Sequence, residues 1–85
     1  SEPLARLQAL LREANARFDA NRTLLPPALA AQVRPGPIGE DGDWVLLAGN
    51  PAAAAKLRQL LPRLEAALQQ AGWQGSAIRV RVQSA

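Results

Sequence analysis

Residues 43–68 read DWVLLAGNPAAAAKLRQLLPRLEAAL, an aliphatic run, a turn and a long leucine-striped segment in direct succession. Trp44–Gly49 is an apolar run of strand length bounded by Asp43 and Gly49, which reads as a β-strand. Asn50-Pro51 then carries a helix start: an asparagine oxygen can accept from the unpaired N–H groups of the first turn, and proline has no N–H to leave unpaired there. Leu57, Leu60, Leu61, Leu64 and Leu68 recur at spacings of three and four, the stripe of a buried helix face, and Gly72 stops the helix. Pro62 interrupts it by removing a donor and crowding the carbonyl of Arg58, which predicts a kink or two abutting helices.

On the C-terminal side, AIRVRVQ (77–83) alternates Ile78, Val80 and Val82 against Arg79, Arg81 and Gln83, so a strand there has one aliphatic and one cationic face. On the N-terminal side, Leu4, Leu7, Leu11, Ala14 and Phe18 form one stripe of an amphipathic helix over about residues 3 to 20, with Arg6, Glu13 and Arg17 on its far side. LLPPALAAQV reads as a connector into a short helical turn with Pro27 in its first turn. Gln32–Ile38 reads as a short strand that must lie at a sheet edge or be irregular, because Pro35 and Pro37 have no N–H to give a ladder. GEDGD is turn chemistry, with Asp41 and Gly42 suited to positive φ. The element order is α-α-β-β-α-β.

The 85 residues suit a single domain over residues 1–85, since a chain of this size struggles to build even one core. Hydrophobic residues make up 48% and aromatics only 4%, a Leu- and Ala-rich composition suited to helices packed on a sheet. With no cysteine and no histidine, disulfides, thiolate chemistry and the commonest zinc ligand and general base are excluded, and no catalytic or metal cluster and no cofactor motif is present. No apolar run approaches membrane-spanning length and the first residues are charged, which predicts a soluble, cytoplasmic protein without a membrane or small-molecule partner. Charge is uneven: residues 50–85 hold Lys56, Arg58, Arg63, Arg79 and Arg81 against Glu65 alone, so the C-terminal part is the basic one.

Glu40, Asp41 and Asp43 read as a solvated turn, because the ligand series of a calcium loop does not follow them. Gly36-Pro37-Ile38-Gly39 has the letters of the GXXG clamp of KH domains, but lies between extended segments instead of joining two helices, so no functional GXXG loop is expected. Trp73 after Gly72 is placed to pack back over the last helical turn. Trp44 shares a strand face with Leu46 and Ala48, Val45 and Leu47 take the other, and one of the two sets faces the open side of the sheet. With the Trp44 set exposed and the strands adjacent, Trp44 lies near Arg79 and Arg81, a stacking surface beside cations that suits single-stranded nucleic acid. The alternative is that Arg79 and Arg81 only keep an open sheet face wet. Lys56, Arg58 and Arg63, off the leucine stripe, either form a solvated helix face or extend a positive surface.

LARLQALLREAN, LLPPALAAQVRP, DWVLLAGNPAAAAKLRQLLPRLEAAL and the closing AIRVRVQ together resemble the DciA family of small bacterial proteins, over nearly the whole chain. The resemblance implies a KH-like α+β domain, three strands with helices packed on one face. It implies an adaptor that binds the replicative helicase of the DnaB type and assists its loading on single-stranded DNA, with no ATPase site of its own, in keeping with the lack of a P-loop here. Family members often carry a histidine near Gln32 and a tryptophan near Ala53, both replaced in this chain, and many carry a basic, flexible C-terminal extension. The candidate nucleic-acid-binding residues are Arg79 and Arg81 first, then Lys56, Arg58 and Arg63, with Trp44 as a stacking partner. A protein-interaction or self-associating module without nucleic-acid binding is the alternative function.

Overall fold

The computed structural model describes residues 2–39, 42–73 and 77–83. The elements are α1 (Glu2–Arg22), α2 (Pro27–Ala30), β1 (Val33–Ile38), β2 (Trp44–Ala48), α3 (Pro51–Gln70) and β3 (Ile78–Val82), an α+β arrangement in the order anticipated. The open sheet runs β1-β2-β3, with β1 antiparallel and β3 parallel to the central β2. A parallel neighbour requires a crossover, and α3 is that crossover. β1 does lie at an edge, where its prolines cost no central ladder bond, and its register slips between Pro35 and Ile38. Gly36 is required in this strand: a Cβ there would meet the Val45 carbonyl oxygen at 2.8 Å.

The core lies between one sheet face and α3. Trp44, Leu46, Ala48 and Ile78 from the sheet meet Ala54, Leu57, Leu64 and Leu68 from α3, with Leu25, Leu29 and half-buried Phe18 packed against the same cluster. Each fully buried leucine of α3 contributes about 2 kcal/mol through the water it sheds. Asn50 caps α3 as its sequence suggests, accepting from the Ala53 N–H at 2.8 Å. At the other end Gly72 adopts φ 103°, and the Gly72 and Trp73 N–H groups donate to the Gln69 and Leu68 carbonyls, the paired bonds of a Schellman ending. Half-buried Trp73 thereby packs against the core.

Pro62 does not divide α3 into two helices; the helix runs unbroken from Pro51 to Gln70. Pro62 and Arg58 are both exposed, so the carbonyl that loses its donor lies on the wet side of the helix, where water replaces the bond. The β1–β2 turn is closed by the Gly39 N–H on the Asp43 carbonyl, and Gly42 takes the positive φ expected of it. Asp41, assigned the same conformation from sequence, and its neighbour Glu40 lie outside the described residues.

Candidate functional site

The strand register decides which side chains share the uncovered side of the sheet. Val45 pairs with Arg79, and Leu47 pairs with Arg34 on one flank and Arg81 on the other. Residues directly opposite one another on neighbouring strands project to the same face, so Arg34, Arg79 and Arg81 surround half-buried Val45 and Leu47 on the side away from α3. Strand spacing sets the Cα atoms of Arg34 and Arg81 about 10 Å apart across Leu47. Arg34 was not among the sequence candidates. Its signal was the period-two pattern from Val33, which the following Pro35-Gly36-Pro37 obscures.

Arg79 is held. Its Nε and Nη2 donate to Asp43 Oδ2 at 3.3 and 3.1 Å, which ties β3 to the start of β2 and neutralises part of its charge. Among the described residues Arg34 and Arg81 have no ion pair, and both are exposed.

Trp44 does not belong to this face. It pairs with Ile78, is fully buried against α3, and therefore offers no ring to a base; the exposed-Trp44 arrangement is corrected to a core tryptophan. The physical reason is area: burying an indole and a leucine removes far more apolar surface from water than burying the shorter, β-branched Val45 with Leu47.

The α3 cations divide as well. Arg58 lies on the flank toward β3, where its Nη2 makes a long contact of 3.5 Å to the Val80 carbonyl, and Glu65, seven residues on along the same flank, accepts from the Ile78 N–H at 3.0 Å. These two side chains occupy outward-pointing backbone groups of β3 and so blunt an edge that would otherwise pair with another strand. Lys56 and Arg63, also seven residues apart, lie on the other flank of α3, away from the sheet arginines. The structure thus gathers Arg79 and Arg81 with Arg34, leaves Arg58 at the strand edge, and sets Lys56 and Arg63 apart.

Arg17 departs furthest from its sequence assignment to the solvent side of α1. It is only 4% exposed: Nη1 donates to the Gly42 carbonyl at 3.1 Å, Nη2 pairs with Glu13 at 2.7 Å, and the guanidinium lies 5.8 Å from the Trp73 ring centroid. A buried cation is tolerated when its charge is paired in this way, although the buried Nε of Arg17 has no hydrogen-bond partner among the described residues. Arg17 thereby links α1 to the β1–β2 turn and to the residue that ends α3.

No cluster of His, Cys, Asp or Glu among the described residues is placed to hold a metal, and no helix among them is long and apolar enough to cross a membrane. A family model described as Dna[CI] antecedent, DciA, matches residues 4–82. The chain belongs to the DciA family. No curated protein and no solved structure matched the chain. The DciA family is associated with loading of the DnaB helicase and is a family of replication adaptors. In this DciA-family chain the matched span takes in every described element except the first two residues of α1, the arginine face included.

Proposed function

We propose that this domain is an adaptor that binds a DnaB-type replicative helicase in the cytoplasm and contacts single-stranded DNA through the arginine face of its sheet while the helicase is loaded. The family match over residues 4–82 supports the helicase part of the reading. For the DNA part the carrying observation is the row Arg34–Leu47–Arg81, two exposed cations without ion partners among the described residues, flanking an aliphatic floor. Such a row holds backbone phosphates without reading sequence, so affinity falls steeply with salt. Arg79, engaged with Asp43, contributes less than Arg34 or Arg81. Arg58, at the β3 edge, extends the positive field, while Lys56 and Arg63 lie apart from this face and are not assigned a DNA contact.

Fluorescence anisotropy with labelled single-stranded DNA, across a salt series, tests the DNA contact. The expected result is saturable binding whose log–log salt slope drops by about 0.7 for each arginine lost, so Arg34→Glu with Arg81→Glu flattens it by about 1.4 or more. Equal binding by that double variant and the parent removes the sheet face from the DNA contact. A second reading, a protein-interaction or self-associating module without nucleic-acid binding, is favoured by the exposed leucines of α1 and by the occupied state of Arg79. Absence of DNA binding at low salt selects it.

A further inference from the structure

The second half of α1 buries Ala14, Arg17 and Asn21, whereas residues 2–12 are all exposed, Leu4, Leu7 and Leu11 remaining 54, 53 and 56% exposed. Leu7 lies seven residues before Ala14 and so continues its line along the helix: the first half of α1 carries the leucine stripe past the edge of the core. It opens onto a cleft of about 350 Å³ between α1 and the β1 edge, walled by Leu7, Leu10, Leu11, Pro35, Ile38 and Leu47. Contiguous leucines exposed to this degree over two helical turns mark a surface that a partner covers.

The shape selects the partner's secondary structure. An added strand would need ladder donors from β1, and Pro35 and Pro37 supply none. A small molecule needs convergent polar groups to orient it, and the cleft is lined almost wholly by apolar side chains, Asn15 being the polar exception. An amphipathic helix inserting side chains at i, i+4 and i+7 fits an open groove that runs along α1. The charge of the rim selects its flanks. Leu47 is shared between the cleft and the arginine face, so Arg34, paired with it, stands at the strand rim; exposed Arg12, three residues before Asn15, neighbours it on the helix side. Of the three described acids of α1, Glu13 is held by Arg17, Asp19 is paired with Arg22, and Glu2 lies in the first turn, ahead of the leucines that wall the cleft.

We infer that the α1–β1 cleft is the docking site for an amphipathic helix with a leucine-type stripe and acidic flanking residues, carried by the helicase of the proposed function, on which this inference rests. The site adjoins the arginine row used for DNA, and the two share Leu47 and Arg34. Occupation of the cleft would place the partner's acidic flank next to Arg34, so helicase and DNA would compete for that one side chain.

The test compares the parent, Leu7→Glu with Leu11→Glu, and Arg12→Glu with Arg34→Glu for binding to a purified DnaB-type helicase by calorimetry at low and high salt. Circular dichroism checks that each variant folds, as exposed positions allow. The leucine variant is expected to lose about 100-fold in affinity at both salts, and the arginine variant about 10-fold at low salt only. Retention of parental affinity by the leucine variant overturns the docking site while leaving the helicase reading in place. If the parent does not bind helicase, the adaptor reading fails. The cleft is then decided by amide-shift titration with two synthetic helical peptides sharing a leucine stripe, one with glutamate flanks and one with lysine flanks. Shifts confined to α1 and β1 with the glutamate peptide support the site, and equal or absent response overturns it. A parent dimer in sedimentation that the leucine variant dissolves assigns the cleft to a second copy of the chain and also overturns it.

Discussion

α1 and α3 are the two long helices, 21 and 20 residues, and both carry leucines at helical spacing, yet they use them in opposite ways. α3 buries Leu57, Leu64 and Leu68 completely against β2 and β3. α1 buries Ala14, Arg17 and Asn21 in its second half and leaves Leu4, Leu7 and Leu11 exposed in its first. Periodicity specifies which residues share a face of a helix; it does not specify how much of that face another element covers. In α3 the whole length is covered, because the Asn50 cap and the Gly72 ending fix its span and β3 must follow it in register. α1 has only its second half in the core, and there Arg17 anchors it by reaching Gly42, Glu13 and Trp73 at once.

The contrast makes ordered predictions. The largest effect is expected at α3: Leu64→Ala empties a fully buried site and should cost about 3 kcal/mol in denaturant unfolding, a large share of the stability of a chain this short. Removing the partner of the buried cation, with Glu13→Ala, should cost about 1–2 kcal/mol, because Arg17 then keeps its burial but loses its carboxylate. A cost near zero would mean that the second half of α1 is anchored by other contacts. Asn50→Ala should cost about 1 kcal/mol through the lost cap of α3. Asn21→Leu has the opposite sign. Its side-chain amide is fully buried with no hydrogen bond among the described residues, so an aliphatic replacement should stabilise by about 1 kcal/mol. The smallest change belongs to the outward stripe: Leu7→Ala should alter stability by no more than about 0.5 kcal/mol. A loss approaching that of Leu64→Ala would break the comparison, since it would place Leu7 in the core. Amide exchange gives the same contrast without mutation, with α3 protected and the first turns of α1 opening early.

Local chemistry made much of the fold legible. Asn50-Pro51 and Gly72 bounded α3 because caps depend on only a few neighbouring residues, and the alternation of residues 78–82 identified β3 for the same reason. Pro35 and Pro37, which no central strand accommodates, left β1 an edge or an irregular segment, and the sheet order makes it an edge. The site was less legible. Arg79 and Arg81 were visible as the cationic side of a strand, but which strand lay beside them, and with which residues opposite, is a matter of register. Register joined Arg34 to them, placed Val45 rather than Trp44 opposite Arg79, and gave Asp43 to Arg79.

By itself, then, the sequence determined the kinds of element, their order, the caps that bound α3, and family membership across residues 4–82, since each rests on short-range chemistry or on the residue pattern as a whole. Tertiary structure alone decided which face of β2 is buried, why Pro62 leaves α3 continuous, where the buried Arg17 goes and which leucines stay in water. Each of these is a choice between surfaces that are equivalent until another element arrives, and the choice is made by the total apolar area removed and by the hydrogen bonds left to polar groups once it has been removed.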